Sequence, residues 1–156
     1  MIKLDRYDLA ILRILARDGR ITKSRLAEEV NLSISPAWER VRKLEECGVI
    51  LGYRADIDWV DVFRGSRIVL EVTLSRHTAH AMQRFEQRMA AANEVTQCYA
   101  TGGGVDYVVH VMTRDIDHYQ RFVDTLLMED LGIERYFTYI VTKVVKHASA
   151  NGPDWL

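Results

Sequence analysis

The hydrophobic period changes once along this chain, and that change limits the fold more than any other feature. Up to about residue 50, apolar residues recur at helical spacing. Leu4, Ile11, Leu12, Leu15 and Ala16 form a first segment, closed by the turn pair Asp18-Gly19. Leu26, Ala27 and Val30 give a second, shorter apolar face behind Thr22, a capping residue. A third helix starts near Ser33, another good cap, and accepts Pro36 in its first turn, where a missing N–H costs nothing. Cys47-Gly48 closes it, with Gly48 suited to the left-handed cap. From residue 66 the period is two: Ile68, Leu70, Val72 and Leu74 alternate with Val69, Glu71 and Thr73.

The second half continues in mixed fashion. The run from His80 to Ala91 is helical, with Met82, Phe85 and Met89 on one face. Two strands, 95–101 and 106–113, are joined by Gly102-Gly103-Gly104-Val105. Tyr119, Phe122, Val123, Leu126 and Leu127 mark another amphipathic helix, and residues 134–146 read as a last strand. The order βαββαβ predicts a ferredoxin-like unit with both helices on one sheet face. The expected class is therefore α+β: a helix-turn-helix (winged-helix-like) domain at 1–50, a strand and linker at 51–65, the βαββαβ domain at 66–147, and a tail at 148–156. Within the connection, 50–57 suits a strand and 59–66 an irregular linker.

With 48% hydrophobic and 28% charged residues, the chain has an ordinary soluble composition. No apolar stretch approaches the ~18–20 residues of a membrane span. Charges in MIKLDRYDLA interrupt the run a secretory signal needs. Cys47 and Cys98 form no CxxC, so neither a zinc ribbon nor a redox pair is supported; a cytoplasmic protein without membrane partner, metal or cofactor is expected. The net charge of −1 argues against a nucleic-acid partner until it is divided. Residues 20–43 hold Arg20, Lys23, Arg25, Arg40, Arg42 and Lys43 against only Glu28, Glu29 and Glu39. That segment is basic.

Two short helices around Val30-Asn31-Leu32 suit a helix-turn-helix, whose second helix enters the major groove. Asn31 tolerates the positive φ such a turn needs. Helical spacing puts Ile34, Ala37, Val41 and Leu44 on one side of the third helix, with Ser35, Pro36, Glu39, Arg40, Arg42 and Lys43 opposite. Serines at its start suit phosphate or base contacts, and Arg40 and Arg42 suit guanine or phosphate. The candidate DNA-contacting set is Thr22, Lys23, Ser33, Ser35, Pro36, Trp38, Glu39, Arg40, Arg42 and Lys43. Trp38 stands at its border, read as core rather than as a base-stacking side chain. A basic outer face is also the mark of a merely solvated helix. Composition and spacing leave both readings open.

The segments LDRYDLAILRILARDGRIT (4–22) and LAEEVNLSISPAWERVRKLEECGVILGY (26–53) resemble the Lrp/AsnC, or feast/famine, family of transcriptional regulators. The resemblance continues to about residue 147, through a Gly-rich hairpin before Asp106-Tyr107. Asn31 stands where glycine is common, and IDWVDVFRGS departs from the usual linker. The tail GIERYFTYIVTKVVK and the triple glycine are similar to regulators of amino-acid or compatible-solute breakdown. The resemblance implies a cytoplasmic regulator that binds double-stranded DNA, forms a homodimer and assembles further to octamers. It also implies that an amino acid or related metabolite binds between subunits.

Chemistry locates that effector at the glycines. Gly102, Gly103 and Gly104 expose backbone N–H groups that suit a carboxylate, and Asp106 could pair with an ammonium. Tyr99, Thr101, Tyr107, Tyr136 and Thr138 are the candidate walls. The plain alternative is a flexible hairpin in which Asp106 satisfies turn N–H groups. GGGVDY lacks the lysine and hydroxyl of a nucleotide-binding loop. His77 and His80 have no evident third metal ligand, and His110 and Cys98 read as structural. The competing function is an enzyme, because some tetrapyrrole-processing decarboxylases resemble the same two-domain arrangement and use histidines near a large pocket.

Overall fold

A computed structural model describes residues 3–146 and divides into two compact units, the second being Ile57–Val144 and the first the remainder. The tail at 148–156 and the end of the 66–147 domain lie outside the described residues. The first unit holds α1 (Arg6–Arg17), α2 (Lys23–Glu29) and α3 (Ile34–Glu46). Asp5 caps α1, its side chain accepting the N–H groups of Tyr7 and Asp8 while Asp8 accepts the Asp5 N–H. Ile11, Leu26, Ala27, Val30, Ala37, Val41 and Leu44 bury a common core between the three helices. Ile34, expected on that buried side, is half exposed at the first position of α3.

No strand forms at 50–57, so the expected wing is absent as a strand among the described residues. A strand needs a partner ladder, and the described part of this unit offers none. Tyr53 is instead anchored by its hydroxyl, which donates to Glu45 Oε1 at 2.9 Å. The expected irregular linker contains a short helix, α4 (Trp59–Phe63).

In the second unit, β1 (Ser66–Leu74), β2 (Val95–Ala100), β3 (Tyr107–Thr113) and β4 (Ile133–Ile140) form one sheet in the order β2-β3-β1-β4. The ladders β1·β3, β1·β4 and β2·β3 are all antiparallel. Helices α5 (Ala79–Ala91) and α6 (Ile116–Met128) connect the strands and pack on one face. This is the ferredoxin-like order expected. The core alternates as the sequence does: Ile68, Leu70, Val72 and Leu74 are buried against Phe85, Met89, Tyr119, Phe122, Val123 and Leu126. Leu127, expected with them, is 45% exposed. The last strand ends at Ile140 rather than 146, where its pairing with β1 runs out at Ile68.

Candidate nucleic-acid interface and effector loop

The geometry of the helix pair comes from two local stop signals. Asn31 has φ 54°, and its N–H donates to Glu28 O at 3.1 Å while Leu32 N–H reaches back to Ala27 O at 2.9 Å. Gly48, at φ 72°, repeats this pattern after α3, with Gly48 N–H on Glu45 O and Val49 N–H on Leu44 O, both at 3.0 Å. Each is a left-handed cap that satisfies the last carbonyls and turns the chain sharply. Thr22 Oγ1 accepts the Arg25 N–H and caps α2. Ser33 occupies the cap position of α3, but its hydroxyl makes no capping bond.

On α3, Ser35, Pro36, Glu39, Arg42 and Lys43 are exposed on the side away from the core, as are Thr22, Lys23 and Ser33 nearby. Arg42 pairs with Glu46 at 3.2 Å, with both side chains at least 65% exposed. An exposed i,i+4 pair of this kind is worth a few tenths of a kcal/mol and yields readily to phosphate. Trp38 is half-buried against the core, and Lys23 Nζ lies 4.1 Å from its ring centroid. It is thus core on one face and cation–π partner on the other.

Arg40 departs from expectation. Its Nη1 donates to Asp5 Oδ2 and to Asp8 Oδ1, each at 2.7 Å, and its guanidinium lies 5.3 Å from the Tyr7 ring centroid. The side chain expected to reach DNA is directed to the start of α1. Asp5, Tyr7 and Asp8 do not stand out as functional in the sequence, although the Asp-x-x-Asp spacing of a capping box is visible there.

The effector residues fall in several places. Thr101 and Gly102–Gly104 form the exposed tip between β2 and β3, and a Cβ added to any of the three glycines would meet no atom within 4 Å. Asp106 is turned inward: its Oδ2 accepts the Leu74 N–H at 2.7 Å, and its Oδ1 lies 2.9 Å from His77 Nε2. Its carboxyl is held below the usual range, chiefly by the Leu74 N–H and then by His77. Tyr107 is buried on the helix face, its hydroxyl donating to Glu86 at 2.9 Å beside a cleft of ≈ 520 Å³ that Met89 and Cys98 also line. Burial pushes its phenol well up, and Glu86 adds to this. Thr138 shares a hydrogen bond with Tyr119, and Tyr136, also on β4, pairs with Val72 of β1. Tyr99 lies on the opposite sheet edge, on the face away from the helices. Three strand spacings, about 14 Å, separate those edges. Within one chain, the proposed walls do not converge on the loop.

Cys47 and Cys98 are free thiols, and burial raises the Cys98 pKa. Among the described residues, no cluster of three His, Cys, Asp or Glu side chains is placed to hold a metal. No described helix is long and apolar enough to cross a membrane.

A capped helix-turn-helix with an exposed basic face, followed by a βαββαβ unit, defines a DNA-binding regulator with a separate ligand-binding domain. Comparison with known proteins agrees: residues 4–50 match the winged helix-turn-helix DNA-binding model, and 67–150 match the Lrp/AsnC ligand binding domain. The chain belongs to the Lrp/AsnC family of transcriptional regulators. It is 55% identical to the transcriptional regulatory protein DoeX of Halomonas elongata over 96% of this chain and 95% of that one. It is 32% identical to the leucine-responsive regulatory protein of Escherichia coli, covering 94% and 89%. Its fold superposes on a Neisseria meningitidis transcriptional regulator solved with L-Met, with a TM-score of 0.88, 29% identity and coverage of 98% and 99%. These relatives favour the regulator over the decarboxylase-like reading.

Proposed function

We propose that the chain acts as a homodimer, assembling further to an octamer, whose DNA affinity or assembly responds to an amino acid or related metabolite in the cytoplasm. Thr22, Lys23, Ser33, Ser35, Pro36, Glu39, Arg42 and Lys43 form the DNA face. A dimer sets two α3 helices about 34 Å apart, or a multiple of that, on an imperfect palindrome. Exposed Tyr99, Phe137 and Tyr139 on strands β2 and β4 favour a further subunit against the sheet.

The observation that carries the effector reading is the Gly102–Gly104 tip. Gly103 takes φ 156°, which favours glycine, but Gly102 and Gly104 are demanded by neither backbone nor packing among the described residues, so their use fits a small ligand or a second subunit approaching the backbone. Their N–H groups suit the ligand carboxylate. Asp106, already bonded to Leu74 and His77, holds the base of the loop rather than the ammonium. L-Met bound to the Neisseria relative supports the amino-acid class. A thermal-shift screen of amino acids and catabolic intermediates tests this. One or more should raise the melting temperature; a panel with no stabilising member rejects an amino-acid effector.

A further inference from the structure

We propose that Arg40 is a positioning residue for DNA recognition: it locks α3 to the N-terminus of α1 and does not itself contact phosphate or base. Two carboxylates from the same helix start take one guanidinium nitrogen, each at 2.7 Å. Charge-assisted bonds of this length are among the stronger polar contacts in a protein. Asp5 is engaged twice, since its Oδ1 accepts the Tyr7 and Asp8 N–H groups while Oδ2 takes Arg40. The lock therefore fixes α3 to the one point of α1 whose own geometry is set by the cap.

The charge balance argues against a DNA contact. Asp5 and Asp8 outweigh Arg40 alone, and in the cleft they share, Lys3 and Lys43 are balanced only with Glu39 counted, so this corner carries no net positive charge to attract phosphate. Moving the guanidinium to a phosphate would leave two carboxylates uncompensated beside the DNA, a repulsion that offsets the new phosphate bond. Arg42, two positions on, faces solvent with the exposed Glu46 as partner, and can transfer to phosphate at little loss. Ala37, Val41 and Leu44 seat the apolar face of α3 in the core of the unit. Arg40 adds the directional bonds that tie the polar side of α3 to the start of α1.

Asp5→Asn separates the two roles. An asparagine at this position caps a helix about as well as aspartate. With its oxygen in the cap, it presents an amide N–H to Arg40 in place of Oδ2. Affinity for a duplex selected by the wild-type protein from a random pool would be measured across a salt series, using full-length protein well below its melting temperature. Asp5→Asn should weaken binding severalfold, although it removes a negative charge. Arg40→Gln should weaken it by about tenfold, with a salt slope equal to the wild type, and the double variant should be no worse than Arg40→Gln. The control Arg42→Gln should lower the slope by about 0.9, as a lost phosphate contact does. The proposal is overturned if Arg40→Gln lowers the slope by that amount, or if Asp5→Asn binds as tightly as wild type or more tightly. Should Arg40→Gln fail to fold, Asp5→Asn alone decides the matter.

Discussion

The Asp106 carboxylate accepts the backbone N–H of Leu74 at 2.7 Å and so ties the base of the glycine hairpin to the end of β1. His77 Nε2 lies within 3.0 Å of both carboxylate oxygens, and the Asp106 N–H donates to Val72 O at 2.9 Å. Asp106→Ala should cost about 1.5–3 kcal/mol at pH 7, because it leaves the Leu74 N–H without its charged acceptor. The carboxyl's pKa is depressed in the folded chain, so its contribution is present above the ordinary value of 3.8 and is lost as pH falls through the folded value. The melting-temperature gap between wild type and variant should hold from pH 7 down to 3.8 and narrow only below it. A gap that stays constant well below 3.8 removes the carboxylate from the account.

Gly102 and Gly104 offer the converse case. A methyl group at either position meets open space, so Gly102→Ala and Gly104→Ala should leave stability within about 0.5 kcal/mol of wild type. The melting-temperature rise caused by whichever amino acid the screen identifies should shrink or vanish in both. Variants that keep the full ligand response show that the ligand lies elsewhere.

Asn31 turns α2 into α3 at φ 54°. Glycine adopts this conformation freely, whereas a β-branched residue meets its own carbonyl. Asn31→Gly should therefore melt close to wild type, and Asn31→Val should lose about 1–2 kcal/mol. Circular dichroism melts of the pair separate the backbone effect from any side-chain effect. Equal losses would mean that the Asn31 side chain, not its φ, carries the turn.

What can be read from the sequence divides along the range of the forces involved. The caps at Thr22, Asn31 and Gly48 are legible because each acts on backbone within five residues of itself. The βαββαβ order is legible too, since burial of Ile68, Leu70, Val72 and Leu74 writes a period of two into the chain. The pairing of Arg40 is not legible because its partners lie 35 and 32 positions upstream. Nothing in the spacing of α3 distinguishes it from Arg42. The effector walls scatter for a similar reason: Tyr99 and Tyr136 look equivalent as aromatic strand residues, but strand order places them on opposite edges. The missing strand at 50–57 shows the same limit, since a strand exists only where a partner accepts its hydrogen bonds.

Gly65 is the position where a long-range contact leaves a glycine no substitute. It precedes β1, and a Cβ there would lie 2.6 Å from the Thr113 carbonyl oxygen. Ser66 pairs with Thr113 in the ladder, and Thr113 is itself buried, its hydroxyl donating to Asp115 O at 2.9 Å. Neither side can retreat without opening this end of the β1·β3 ladder. Gly65→Ala should thus destabilise by about 1–3 kcal/mol, the usual range for overpacking, although the exposed glycines tolerate the same change. Urea unfolding of Gly65→Ala beside Gly104→Ala isolates the clash from the general effect of adding a methyl group. Equal midpoints would mean that the entry to β1 can shift away from Thr113, and that the register of this ladder is set further along the strand.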